Sequence, residues 1–128
     1  MSSRGPKRVY EIDGERFADL EGFFQEFGRQ VMPGQWWGEN LDAFDDVLYG
    51  GFGTPGNGFV LVWRNSDISR ETLGHQAMAR KIAEVLTRYR SADREAELAA
   101  ARRGEGQTIF DVILEIIHRH PEVELVLK

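Results

Sequence analysis

Four carboxylates lie within eight residues of one another, in a stretch without lysine or arginine. The stretch reads PGQWWGENLDAFDDVLYGG and runs from Pro33 to Gly51. Its acids are Glu39, Asp42, Asp45 and Asp46. Grouped carboxylates can act as a general acid and base, can hold Mg²⁺ or Ca²⁺, or can bind a cationic surface of another protein. The residues alone leave these three chemistries open.

The spacing of the acids predicts one charged helix face. Asp42 and Asp46 are four residues apart, and Asp45 is three residues from Asp42. Like charges at such spacings destabilise an isolated helix by about 0.2–0.5 kcal/mol per pair. The helix dipole favours acids in a first turn, which explains Glu39 and Asp42 as ordinary helix residues. That effect fades beyond the first turn, so helix stability explains Asp46 least.

Support for catalysis or nucleic-acid binding is weak elsewhere in the chain. No nucleophile–base pair accompanies the acids, and the glycines at 50–58 match no phosphate-loop fingerprint. His118 and His120 near a helix end are expected to make a dipole contact or to lie on the surface, and His75 has no metal-ligand spacing. Arginines between residues 80 and 103 are interleaved with acids, which indicates a solvated helix.

Composition indicates a small acidic protein of one domain. The chain has 128 residues and a net charge of −5, and residues 9–64 carry ten acids against three bases. Such a charge repels nucleic acid and favours a basic partner. The absence of cysteine excludes disulfides and fits a reducing cytoplasm. Residues 1–8 lack an apolar segment, so we expect a flexible N-terminus, a single domain over 9–128 and a cytoplasmic protein.

Three short strands alternate with helices along the chain. VYEI at 9–12, FVLVW at 59–63 and VELVL at 123–127 are the predicted strands, the second buried on both faces. A first helix carries Phe17 on its apolar face and stops at Gly28. A second opens at Glu39 or Asn40. Helices separating strands predict a three-stranded parallel sheet packed by helices, an α/β fold.

Further helices are predicted in the second half of the chain. Residues 70–103 read as two successive helices, the second capped by Ser91 or Asp93. FDVILEIIHRH follows Thr108 and stops at Pro121, which predicts the last helix.

WWGENLDAFDDVL, from Trp36 to Leu48, resembles the signature of the barstar family, the intracellular inhibitors of secreted microbial ribonucleases. VLVWRN at 60–65 is similar to the family's central strand, which ends in Trp-Arg, and Ile109–Leu127 match in pattern. The resemblance covers about 9–72 and 107–127. The segment 73–106 has no counterpart in the shortest members and looks like an inserted helical pair.

The resemblance implies binding without catalysis and without a cofactor or metal. In the family, the first aromatic of the pair packs into the nuclease active site, and two helix acids and a glutamate of the last long helix face the nuclease. The predicted partner-binding residues are Trp36, Trp37, Gly38, Asn40, Asp42, Asp45, Asp46, Gly50 and Glu115. The family can carry tryptophans where this chain has Asp45 and Gly51.

An RNA-cleaving site must be cationic to stabilise its transition state, so carboxylates at the phosphate positions would block it. The main hypothesis is therefore inhibition of a cationic extracellular ribonuclease in a 1:1 complex, with no nucleic acid or membrane partner. The alternatives are an immunity protein against a non-ribonuclease toxin and a metal-dependent hydrolase using Asp42 and Asp46. Adjacent residues cannot both point at one core, so Trp36 is expected to be exposed and Trp37 at least half buried.

Overall fold

The computed structural model describes residues 7–50 and 53–128. Three strands and six helices are formed there. In chain order they are β1 (Arg8–Asp13), α1 (Leu20–Val31), α2 (Leu41–Leu48), β2 (Phe59–Arg64), α3 (Ser66–Thr72), α4 (His75–Leu86), α5 (Ala92–Arg102), α6 (Ile109–His118) and β3 (Val123–Leu127). Most of the predicted flexible N-terminus, residues 1–6, lies outside the described part, and Arg8 already belongs to β1. No helix in the described ranges is long and apolar enough to cross a membrane.

The sheet is parallel throughout, with β2 between β1 and β3. This confirms the predicted α/β fold. The expectation that β2 is buried on both faces is only half correct. Phe59, Leu61 and Trp63 are fully buried, whereas Val60 and Val62 on the opposite face stay partly exposed. The sheet residues of the core cluster therefore come from one face, which a continuous apolar run in the sequence does not reveal.

Helix α1 begins and ends later than the sequence predicted. Asp19 caps it by accepting a hydrogen bond from the Gly22 amide at 2.7 Å, so Phe17 lies in the extended segment before it, although still buried. Gly28 does not stop the helix, which continues to Val31. A Cβ at Gly28 would approach Nε1 of Trp37 to 2.7 Å, so glycine is needed there for close packing rather than for termination.

The two helices predicted between residues 70 and 103 are present as α4 and α5, and a further short helix precedes them. The additional helix, α3, directly follows β2, and the chain breaks at Leu73 and Gly74 before α4 begins. Leu73 is fully buried, and its carbonyl accepts the Phe110 amide at 2.8 Å. Ser91 caps α5, as predicted, through the Arg94 amide. Leu73, at the break between α3 and α4, thus connects these helices to the first turn of α6.

The last helix and strand match their predictions closely. Thr108 and Asp111 form a capping box at the start of α6, in which each side chain accepts the other's backbone N–H. Helix α6 ends before Pro121, and β3 spans the five residues that were predicted. These elements place α6 beside α2, the helix that carries the acidic cluster.

Candidate protein-binding site

Helix α2 is held in place by caps at both ends and an apolar stripe. Asn40 is the N-cap and accepts the Ala43 amide at 2.8 Å. The Thr54 hydroxyl donates to the Val47 carbonyl at 2.6 Å near the C-terminus, and Thr54 itself is buried. Of the apolar stripe formed by Leu41, Phe44, Val47 and Leu48, the last three are buried, and Leu41 is partly buried against the core. Because these residues face the core, the opposite face of α2 is left to solvent.

Asp42 and Asp46 lie on that solvent face. Both residues are exposed, as is Glu39 in the segment before the helix. Within residues 7–50 and 53–128, none of their three carboxylates makes an ion pair or a side-chain hydrogen bond. The site is therefore a patch of like charge that the described part of the protein does not neutralise.

The two tryptophans separate as expected. Trp36 is 83 % exposed, while Trp37 is partly buried against the core. The Trp37 ring meets Phe24 and Phe27 edge-on at centroid distances of 5.5 and 5.6 Å. Such aromatic contacts favour a fixed ring position. Trp37 thereby anchors the loop that presents Trp36, and the prediction for both residues is confirmed.

Asp45 turns away from the exposed acids. Nε2 of His120 donates to its carboxylate at 2.6 Å, and the Asp45 side chain is 30 % exposed. His120 is buried, so the expectation that it lies on the surface is wrong, while the expected contact with the helix dipole stays a prediction. The ring of His120 also meets Tyr49 edge-on at 4.5 Å. No pattern in the sequence signals this contact, because the two residues are 75 positions apart.

Three other predicted site residues have structural roles of their own. Gly38 and Gly50 have φ values of 100° and 89°, which a residue with a Cβ rarely adopts. A Cβ at Gly50 would also approach the Pro55 carbonyl oxygen to 2.5 Å. Asn40 is the α2 cap. Whether these residues also touch a partner stays a prediction, and Gly51 lies outside the described residues.

Glu115 is exposed on α6, apart from the α2 acids. Gln107 donates to its carboxylate at 2.7 Å and Arg119 at 3.2 Å. These hydrogen bonds, Gln107 first, lower the pKa of Glu115 below its ordinary value. No described contact joins Glu115 to Asp42 or Asp46. Its carboxylate keeps its charge to lower pH than an ordinary glutamate, but it is already paired in the free protein.

The described residues contain no group of three or more histidine, aspartate or glutamate side chains placed to hold a metal ion. Asp42 and Asp46 thus have no described third ligand. What the site offers is an unpaired anionic helix face and, in the loop that leads into that helix, a large exposed indole. This combination suits a cationic protein surface with an apolar pocket.

A comparison with protein-family models matches residues 7–117 to the family described as Barstar (barnase inhibitor). The match is nearly the whole chain, and it includes α2, both tryptophans and Glu115. A comparison with curated proteins found no significant match.

Proposed function

Because the chain belongs to the barstar family, we propose that it inhibits a secreted microbial ribonuclease by covering the enzyme's cationic active site. The observations that carry this proposal are the unpaired Asp42 and Asp46 on α2 and the exposed indole of Trp36 in the loop that leads into this helix. A ribonuclease supplies what these groups lack. Its active site must present cations to the substrate phosphate and its transition state.

The proposed mechanism is steric and electrostatic. Asp42 and Asp46 take the place of substrate phosphates and pair with the enzyme's cations. Trp36 fills an apolar part of the cleft, as aromatic anchors do at interface centres. The repulsion between the two aspartates in the free protein is relieved once the cations arrive. The charge arrangement costs stability in the monomer and is useful only in a complex.

The remaining features of the proposal concern the setting of the complex. We infer a 1:1 complex, since the Trp36 loop runs directly into α2 and both can reach the same partner. We also infer a cytoplasmic inhibitor that protects the producing cell before the enzyme is secreted. Nothing in the proposed mechanism requires a cofactor, a metal or a chemical step by this chain.

A second candidate is an immunity protein against a cationic toxin that is not a ribonuclease. The environment of Asp45 supports this second candidate. Its carboxylate is hydrogen-bonded to His120, whereas members of the family that the sequence resembles can carry a tryptophan at this position. A binding face that differs at this point can have a different target. The two candidates share the anionic face and differ only in the activity of the protein they block.

The test measures RNA cleavage by barnase with wild type and with the double variant Asp42→Ala/Asp46→Ala. We expect inhibition by wild type and its loss in the double variant. Glu97→Ala, which removes an exposed acid of α5, is the matched control and should inhibit like wild type.

If barnase is not inhibited, immobilised wild type and double variant are each exposed to the secreted proteins of the producing organism. Ribonuclease activity retained by wild type alone supports the proposal. Retention of a toxin without such activity supports the second candidate. Binding that requires a divalent ion, and is lost with a chelator, would contradict both and favour the metal-dependent hydrolase.

A further inference from the structure

His120 is a buried titratable residue that the proposed inhibition does not use. It is 4 % exposed and follows the C-terminus of α6. Its Nε2 donates to Asp45 Oδ1 at 2.6 Å, and its ring packs against Tyr49, the C-cap of α2. The imidazole of His120 therefore contacts α2 at two points, the Asp45 carboxylate and the ring of the C-cap residue Tyr49.

We propose that His120 is a positioning residue for the acidic helix: through Asp45 it fixes the rotation of α2, so that Asp42 and Asp46 face the partner. Asp45 then serves as the attachment point and is not itself a partner contact. The inference rests on the proposed function only in taking α2 as the binding helix.

The need for such a contact follows from the length and packing of α2. An isolated helix of eight residues is unstable in water, so tertiary contacts must hold it. Burial of Phe44, Val47 and Leu48 determines which face of α2 meets the core, but apolar packing alone leaves small rotations of the helix open. A short hydrogen bond to a carboxylate is directional and strong.

Rotation matters because Asp45 and Asp46 are adjacent. Successive residues differ by about 100° around a helix, so a turn of that size would exchange the two carboxylates. Asp45 is also three residues from Asp42, at a spacing where like charges repel. Binding its carboxylate to His120 removes it from the exposed charge. Together with the buried apolar stripe, the pair thus determines which two of the three α2 acids are presented.

Amide hydrogen exchange of the free protein tests the inference without a partner. The variants are His120→Leu, His120→Gln, Asp45→Ala and the double variant Asp45→Ala/His120→Leu, with the exposed His118→Leu as control. Losing a buried hydrogen bond to a charged group should speed exchange in α2 about tenfold or more. We expect this in His120→Leu and in Asp45→Ala, with no further gain in the double variant and no change in α1.

His120→Gln should restore slow exchange, because its amide nitrogen can donate to Asp45 from a similar position. Equal acceleration in α1 and α2 would indicate a general loss of stability and overturn the inference. Unchanged α2 exchange in Asp45→Ala would also overturn it. If His120→Leu does not fold, Asp45→Ala decides, since its side chain is partly exposed and its loss leaves the core intact.

Affinity for an inhibited ribonuclease, with barnase as the first probe, adds a second readout. Asp45→Ala and His120→Leu should weaken binding to a similar, non-additive extent. A further loss from Asp45→Ala in the His120→Leu background would show that Asp45 contacts the partner, against the inference. Full inhibition by Asp42→Ala/Asp46→Ala would refute the proposed function instead, and the exchange result would stand.

Discussion

Helix α2 and the pair formed by α4 and α5 are both rich in charge, yet the charges are arranged in opposite ways. Around α5, Arg90 pairs with Glu95 at 3.0 Å and Arg103 with Glu105 at 3.2 Å. On α2, Asp42 and Asp46 have no such partner in the described residues. The α4–α5 region thus pairs several of its charges with opposite ones, whereas Asp42 and Asp46 of α2 stay unpaired.

The difference shows which charges imply a partner. Exposed ion pairs contribute only about 0–1 kcal/mol each, so the α5 pairs are consistent with an ordinary solvated surface. Unpaired like charges lower stability and gain nothing within the monomer. Even the buried Glu26 is neutralised, since Arg29 lies 2.7 Å from its carboxylate. Asp42 and Asp46 therefore stand apart from the paired acids of this protein.

Because the segment 73–106 has no counterpart in the shortest members of the family that this chain resembles, we predict that it is dispensable for inhibition. Its deletion is a poor test, however, because Leu73, Ala77 and Ile82 are buried. Lys81 also pairs with Glu21 of α1 at 3.4 Å. Removing the segment would damage the core and confuse folding with binding. Single substitutions in the two regions compare them more cleanly.

The largest expected effect is on affinity, from Asp46→Ala. Truncating one member of a desolvated charge pair costs about 2–5 kcal/mol, which is roughly 30- to several-thousandfold in dissociation constant. Stability should stay the same or rise slightly, because one repulsion is removed. Calorimetric titration against the inhibited nuclease measures the change, with Glu97→Ala of α5 as control. Equal affinities of Asp46→Ala and Glu97→Ala would contradict the view that the unpaired α2 acids, and not the α5 acids, bind the partner.

Trp36→Ala tests whether the exposed indole belongs to the same face. Interface aromatics of this kind often contribute about 2–4 kcal/mol to binding. Tyr89, which is 73 % exposed between α4 and α5, offers the control substitution Tyr89→Ala. We expect a large loss of affinity from the first and none from the second. Losses of similar size would place the α4–α5 pair in the interface as well.

If the unpaired acids of α2 attract the partner at long range, the association rate should depend on salt concentration. Electrostatic steering raises association rates by about 10–10³ and falls steeply with ionic strength. The Debye length shrinks from about 30 Å at 0.01 M to about 8 Å at 0.15 M, so wild-type association measured by stopped flow should slow over that range. Dissociation should change much less. A salt-independent association rate would remove the steering argument.

Asp13 represents the acids that do have partners, and its loss should affect stability rather than binding. Asn65 donates to its carboxylate at 2.8 Å, and this bond, with the one from the Glu15 amide, lowers the pKa of Asp13 below its ordinary value. Asp13→Ala should lower the free energy of unfolding at neutral pH by about 1 kcal/mol, as for a lost cap.

Because the pKa is lower in the folded state, wild type should lose this contribution as pH falls from the ordinary aspartate pKa through the folded value. Denaturant melts of both proteins at several pH values measure the difference. A gap between them that widens toward acid pH would contradict the assignment.

The smallest effect is expected from reversing the ion pair between Arg90 and Glu95 in the α4–α5 region. Arg90→Glu with Glu95→Arg preserves the net charge and the opportunity to pair. Affinity and stability should each change by no more than about 0.5 kcal/mol, as for most surface substitutions. A clear change in association rate would mean that the α4–α5 charges are felt by the partner.

Local patterns in the sequence were sufficient for much of this protein. The sequence predicted the start of α2 at Glu39 or Asn40, the start of α6 after Thr108 and the span of β3, and the structure confirms them with Asn40 as the α2 cap. Caps and hydrophobic periods depend on residues within one or two turns. The opposite orientations of Trp36 and Trp37 followed from the same local geometry.

Tertiary structure alone decided three other features. Helix α1 runs through Gly28 because Trp37 packs against that glycine, and only one face of β2 contributes to the core. Asp45 turns inward because folding brings His120 to it from 75 residues away. Contacts between distant segments depend on how helices pack over the sheet, which periodicity does not specify. The sequence could therefore locate the acidic cluster but not show which of its acids remain free.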